Sequence, residues 1–128
     1  METKNSFNEM FRVRTRNFSV VICKTFAGLT QNEAAKVVTR QILRSGTSVG
    51  ANFRAACRAR SSAEYYSKLC IVVEECDETL FWLDLISQIL PGKREQFQQI
   101  EKEATELLSV FSTTRKKLKI RLSGKKEF

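Results

Sequence analysis

Apolar residues recur at steps of three and four along most of this 128-residue chain, which is the period of one face of an α-helix. The clearest break in the pattern is Pro91-Gly92. The spacing predicts four helices, over residues 6–28, 30–60 and 61–90 and from 93 onward. Short connections make neighbouring helices antiparallel. We therefore predict an all-α, up-down-up-down four-helix bundle over residues 1–122, followed by a short basic C-terminal tail over 123–128.

Two of the predicted helices begin with a pattern that is typical of a capping box. Thr30 and Ser61 are each followed three residues later by a glutamate, Glu33 and Glu64. In a capping box the hydroxyl accepts a backbone amide while the glutamate reaches back to the cap. We expect the second helix to begin at Thr30 and the third at Ser61.

The middle of the second helix, residues 44–52, reads RSGTSVGAN and has the local propensities of a loop. Each glycine costs about 1 kcal/mol relative to alanine in a helix. The residues facing the core nevertheless keep helical steps through this segment: they are Ile42, Gly46, Val49, Phe53 and Ala56. We predict one continuous helix, whose small residues allow the third helix to approach closely.

The chain contains no histidine, which limits the kinds of catalytic and metal site that it can form. The absence of histidine excludes Ser-His and Cys-His nucleophiles and the Glu-x-x-His pairs of di-iron bundles. The four cysteines form no Cys-x-x-Cys pair, which favours reduced thiols in a cytoplasmic protein. The apolar runs are too short to span a bilayer, and no secretory signal is evident. We expect no enzymatic activity, no metal or other cofactor, and no membrane partner.

Charge is distributed unevenly along the chain. The net charge is +8, but residues 61–90 carry one Lys/Arg against six Asp/Glu, so an acidic third helix lies between basic segments. Such a surface suits polyanions or self-association between complementary charges.

Three segments carry a specific pattern: residues 41–56 (QILRSGTSVGANFRAA), 58–61 (RARS) and 74–85 (EECDETLFWLDL). Together they resemble the bacterial 23S rRNA intervening-sequence proteins. The resemblance implies an antiparallel four-helix bundle that assembles as a homopentameric ring. It also extends to the accessory variability proteins of diversity-generating retroelements, which work with a reverse transcriptase and nucleic acid.

Two groups of basic residues are candidate nucleic-acid contacts. The first shares one broad face of the second helix, and the second ends the fourth helix. The members are Arg40, Arg44, Arg54 and Arg58, followed by Arg115, Lys116, Lys117, Lys119 and Arg121. We predict binding of RNA or DNA through phosphates, without base-specific readout. The alternative is that these charges are only solvated, or are neutralised by an acidic third helix.

The third helix supplies two further predictions. Glu75 and Glu78 share a face and are expected to form structural ion pairs with residues such as Arg44. Phe81, Trp82 and Leu85 make the end of this helix apolar almost all round, which predicts a subunit interface. The alternative function is an adaptor or scaffold that recognises a protein partner, such as a polymerase or reverse transcriptase.

Overall fold

A computed structural model describes residues 4–29 and 31–127, with the backbone alone for 125–127. It contains four long helices, α1 (Lys4–Phe26), α2 (Glu33–Cys57), α3 (Ser62–Ile89) and α4 (Arg94–Glu127). A single 3₁₀ turn, Pro91–Lys93, lies between α3 and α4. The described residues contain no β-strand. The prediction of an all-α, four-helix fold is confirmed.

The helices pack in a closed cycle in which each one contacts two neighbours. Helix α1 lies between α2 and α4, and α3 lies between the other faces of α2 and α4. The rings of Phe11 and Phe111 are 5.5 Å apart, and those of Phe26 and Phe97 are 5.1 Å apart. The start of α1 therefore meets the later part of α4, and the end of α1 meets its beginning.

The predicted apolar face of α2 and one face of α4 lie in the core, together with residues of α1 and α3. In α2, Ile42, Gly46, Val49, Phe53 and Ala56 are all buried, as expected from their spacing. The α4 residues that are buried are Phe97, Ile100, Ala104, Leu107, Phe111 and Leu118. Helix α2 runs without interruption through residues 44–52, so the prediction of a continuous helix is confirmed.

The buried surface of α3 differs from a single apolar stripe with steps of three and four. Tyr66 and Leu80 are only half-buried, whereas Tyr65, Val72 and Thr79 lie in the core. The cause is geometric: a helix with 3.6 residues per turn drifts away from a seven-residue repeat, and α3 contacts two neighbours. Its buried surface is therefore wider than one narrow stripe.

The glycines of α2 approach α1, which corrects the prediction that they approach α3. A Cβ atom added to Gly46 would lie 2.9 Å from Ile22 Cγ1, and one added to Gly50 would lie 2.6 Å from Ser19 Oγ. On the α3 side, Thr79 Oγ1 donates to Ser45 Oγ at 2.9 Å. The small residues of α2 thus serve both neighbouring helices, and the closest backbone approach is to α1.

Helix termini follow local capping chemistry. Asn32 caps α2, its side-chain oxygen accepting the Ala35 amide at 2.8 Å. Helix α2 therefore begins at Glu33, which corrects the predicted start at Thr30, a residue outside the described ones. Ser61 caps α3 as predicted, accepting the Glu64 amide at 3.0 Å.

The far ends of two helices differ from expectation. Helix α2 ends at Cys57 rather than near residue 60. The backbone of α4 is helical to Glu127, and this range includes residues 123–127 of the predicted basic tail. The chain has no proline after Pro91, so no residue there forces the helix to stop.

Candidate nucleic-acid interface

A groove between α1 and α2 collects four arginines, and we call it the arginine groove. Arg12 and Arg16 line it from α1, and Arg54 and Arg58 line it from α2. Each pair is spaced four residues apart, so each forms a column along its own helix. The volume of the groove is about 560 Å³.

The groove exists because its floor is made of small residues. Ser19, Thr47, Gly50 and Ala51 lie between the arginine columns. Ser19 Oγ lies 3.0 Å from the carbonyl oxygen of Gly46, to which it donates a hydrogen bond across the helix pair. Close approach of the two backbones leaves the long arginine side chains as the walls. The glycine-rich segment that shapes the helix contact therefore also shapes the groove.

The positive charge of the groove is largely uncompensated. Arg12 forms an ion pair with Glu9, with Nη2 and Oε1 2.6 Å apart. Arg16 Nη1 is 3.4 Å from the neutral amide oxygen of Asn17. Within the described part of the chain, no carboxylate lies within 4 Å of Arg16, Arg54 or Arg58. Three guanidinium groups can thus bind an external anion.

The predicted basic face of α2 divides into two parts. Arg40, Arg44, Arg54 and Arg58 are all exposed. Arg44, however, pairs through Nη2 with Oε2 of Glu78 on α3. The indole Nε1 of Trp82 donates to the same oxygen at 3.2 Å. Arg44 is therefore part of an α2–α3 ion pair, whereas Arg54 and Arg58 join the arginines of α1.

Glu75 does not form the predicted ion pair. No cationic group of the described residues lies within 4 Å of its carboxylate, and its Oε1 is buried without a hydrogen-bond partner. Burial raises the pKa of Glu75, the neighbouring carboxylate of Glu78 raises it further, and Arg44 opposes the shift. The physical reason is that the Arg44 guanidinium is directed to Glu78, one turn further along α3.

The second predicted cluster lies at one end of the bundle. Lys117 and Arg121 share a cleft with Lys4 and Tyr65, so the end of α4 adjoins the starts of α1 and α3. Arg115 is half-buried, whereas Lys116, Lys117, Lys119 and Arg121 are exposed. We call the basic residues at this end the basic pole. They are Lys4, Arg54, Arg58, Arg60, Arg115, Lys116, Lys117, Lys119 and Arg121.

The sequence alone did not reveal that Arg12 and Arg16 share a site with Arg54 and Arg58. Their four-residue spacings were visible, but spacing within a helix does not determine which faces of two helices meet. The useful signal was Gly50, because a small residue one turn before Arg54 marks where α1 comes closest.

The predicted interface residues of α3 have unequal exposure. Phe81 is 54% exposed, and its ring lies 4.9 Å from that of Trp82. Trp82 and Leu85 pack partly against the core. Phe81 is therefore the member of this group that is available to another molecule.

The described residues also bear on metal sites and membrane-spanning helices. They contain no group of three or more His, Cys, Asp or Glu side chains arranged to hold a metal ion. None of their helices is long and apolar enough to cross a membrane.

Comparison with known proteins identifies the family. The model of the 23S rRNA-intervening sequence protein family matches residues 11–113. The chain belongs to this family. The matched region of this intervening-sequence protein includes the whole arginine groove and the Arg44–Glu78 pair, whereas residues 115–121 follow it.

A solved relative supports the same fold. A crystal structure of a protein of unknown function from the S23 ribosomal protein family of Bacteroides thetaiotaomicron is 34% identical. It aligns with a TM-score of 0.77 over 85% of this chain and 97% of the relative. Among curated proteins, no significant match is found. The predicted resemblance to the intervening-sequence proteins is confirmed.

Proposed function

We propose that this intervening-sequence protein is a non-catalytic, homo-oligomeric bundle of up-down-up-down topology that binds RNA or DNA through phosphate groups. The observation that carries the proposal is the arginine groove, in which Arg16, Arg54 and Arg58 have no carboxylate within 4 Å among the described residues. Side chains committed to internal ion pairs, such as Arg44, do not provide this binding capacity.

Guanidinium groups suit phosphate recognition because their planar forks donate two parallel hydrogen bonds to one phosphate. Arginines four residues apart are separated by about 6 Å along the helix axis. Two such columns can therefore contact successive phosphates of a backbone lying in the groove. A concave, positively charged surface also raises the local concentration of polyanions. Contacts of this kind carry no direct sequence information, so binding without base-specific readout is expected.

The test is nucleic-acid binding as a function of salt. Releasing counterions from duplex DNA gives a log–log slope of about −0.9 per phosphate contacted. We expect the double variant Arg54→Gln/Arg58→Gln to bind more weakly and with a slope closer to zero by about 2. Binding that is absent at low salt, or insensitive to salt, would contradict the proposal.

A matched control is available on α4. Lys102 is exposed and lies outside the arginine groove and the basic pole. Lys102→Gln removes one positive charge and should leave the slope unchanged, whereas Arg54→Gln alone should move it toward zero by about 1. An equal loss in this control would show that net charge alone governs binding.

Assembly into a ring is supported by the apolar surface of α3. Phe81, which is 54% exposed beside Trp82, is a large aromatic surface left open in one subunit. Light-scattering mass should fall in Phe81→Ser if this residue holds subunits together. Ile120→Ser is the control, because Ile120 is 63% exposed on α4. A monomeric wild-type protein would refute the ring.

The second candidate function is an adaptor for a protein partner, such as a polymerase or reverse transcriptase. The same Phe81–Trp82 surface favours it, because aromatic side chains are enriched where partners bind. Capture of one defined partner after nuclease treatment, lost in Phe81→Ser, would support this function. The arginine variants would then leave partner binding unchanged.

A further inference from the structure

A second concave site lies within the basic pole, where the starts of α1 and α3 adjoin the end of α4. This pole cleft has a volume of about 380 Å³. Its main lining residues are Lys4, Phe7, Tyr65, Lys117, Leu118 and Arg121. Cationic and large apolar groups therefore face the same space, unlike in the arginine groove, whose floor is made of small residues.

The apolar wall of the pole cleft is held in place before any ligand binds. Tyr65 is 5% exposed, and its hydroxyl donates to Asn8 Oδ1 at 2.8 Å. Lys4 Nζ lies 4.6 Å from the centroid of the same ring, within the range of a cation–π contact. Leu118 is buried beside them. Tyr65 and Leu118 therefore form a fixed backing, and the half-buried Phe7 is the aromatic surface of the cleft that a flat apolar group can contact.

The cations of the cleft are available to an anion. Within the described part of the chain, no carboxylate lies within 4 Å of Lys4, Lys117 or Arg121. Lys117 and Arg121 are spaced four residues apart, so both project from one face of α4. Three positive charges thus surround a space that also has an aromatic wall.

This combination distinguishes a terminal nucleotide from an internal one. A terminal phosphate monoester carries about −1.5 to −2 charges at pH 7, whereas an internal diester carries one negative charge. Three cations favour the more highly charged group. The volume is also at the lower end of the range for small-molecule sites, about 300–1,000 Å³, which suits one nucleotide rather than a continuous strand.

We infer that the pole cleft binds a phosphate monoester on a nucleotide, with the phosphate at Lys4, Lys117 and Arg121 and the base or sugar against Phe7. Two sources share this chemistry: the 5′-phosphorylated end of a nucleic acid and a free nucleotide. Binding of a 5′-phosphorylated end rests on the proposed function, because the rest of that strand would continue toward the arginine groove.

The experiment compares one oligonucleotide with a 5′-phosphate and the same oligonucleotide with a 5′-hydroxyl, using the full-length protein. We expect the phosphorylated form to bind several-fold more tightly. A nucleoside 5′-monophosphate is added as competitor. Competition at concentrations near the oligonucleotide dissociation constant supports the cleft and identifies a free nucleotide as the ligand, whereas competition only at far higher concentrations identifies the strand end.

Variants within one basic cluster provide the decisive comparison. Lys117→Gln and Arg121→Gln should remove the preference for the 5′-phosphate. Lys116→Gln and Lys119→Gln remove the same charge from the same helix but lie outside the pole cleft, so they should keep the preference. Equal loss in both sets would overturn the inference. Circular dichroism of each variant verifies that the helices remain.

Failure of this inference can be told apart from failure of the proposed function. If both oligonucleotides bind equally well and remain salt-sensitive, the pole cleft is not a terminal-phosphate site and the arginine groove stands. If neither oligonucleotide binds at low salt and the monophosphate does not bind, both proposals fall.

Discussion

Replacing Gly50 with alanine tests the close contact between α1 and α2. The new Cβ would lie 2.6 Å from Ser19 Oγ and 3.1 Å from the carbonyl oxygen of Thr15. The first distance is too short for any real contact, and the second involves the backbone of a rigid helix. Ser19 Oγ cannot move freely, because it donates to Gly46 O at 3.0 Å and lies 3.1 Å from Thr15 O.

The expected change in the free energy of unfolding combines one stabilising effect with two destabilising ones. Alanine gains about 1 kcal/mol over glycine in helix propensity. Overpacking a buried contact costs about 1–3 kcal/mol, and displacing the Ser19 hydroxyl from its hydrogen bonds costs about 1 kcal/mol. We therefore expect Gly50→Ala to lower the free energy of unfolding by about 1–3 kcal/mol, and the thermal midpoint to fall by several degrees.

A double-mutant cycle isolates the contact. Ser19→Ala removes the atom that the new Cβ would meet, leaving Ser19 Cβ at 3.5 Å and Thr15 O at 3.1 Å as its nearest neighbours. The double variant should be more stable than the sum of the single variants by about 1–2 kcal/mol. Denaturant unfolding with circular dichroism detection measures all four proteins. A stabilised Gly50→Ala, as expected of an exposed helical glycine, would refute the close approach of α1.

Three further outcomes are expected. In thiol labelling of the folded protein, the exposed Cys23 should react rapidly. Cys76 is fully buried, and burial raises its pKa to about 12, so it should react only on unfolding. Rapid labelling of Cys76 would contradict its position in the core. Burial also raises the pKa of Tyr65 to about 12, so the folded state keeps a proton that the unfolded chain loses near pH 10. The free energy of unfolding should therefore decrease as the pH rises from about 10 to about 12. Urea unfolding across this range should show a smaller decrease for Tyr65→Phe than for the wild type. The same decrease in both proteins would contradict the raised pKa of Tyr65. Gly28→Ala should lower the free energy of unfolding by about 1–2 kcal/mol, because Gly28 has φ of +77° although open space surrounds it. The control is Gly92→Ala, which should leave the free energy of unfolding nearly unchanged. Gly92 also lies in open space but has no positive φ.

Spacing within a helix was sufficient to predict which face of α2 is buried. Gly46 and Gly50 break no hydrogen bond of the helix, and the apolar steps on either side of them stay in phase, so the segment remained helical despite its poor propensity. What spacing could not supply was the identity of the neighbour. A helix face made of small residues can pack closely against either α1 or α3. The register between the helices determines that Gly46 lies against Ile22 of α1.

The same limit explains the candidate site. Arg54 and Arg58 were predicted as phosphate contacts, but their grouping with Arg12 depends on how two helices align, which no local pattern encodes. The ion pair of Arg44 with Glu78 followed from opposite charges on adjacent helices. The failure at Glu75 shows that charge pattern alone does not say which of two nearby carboxylates an arginine reaches.

The aromatic contacts between the first and last helices have a consequence for synthesis of the chain. The ring of Phe11 lies 5.5 Å from that of Phe111, and Phe53 lies 4.9 Å from the same ring. While a ribosome is still making α4, these phenylalanines lack the partner that covers them, so a nascent three-helix chain exposes apolar surface that is prone to aggregation. The cations of residues 115–121 also belong to α4. Closure of the core and completion of the basic pole therefore both depend on synthesis of α4, and a chain that stops before this helix lacks both.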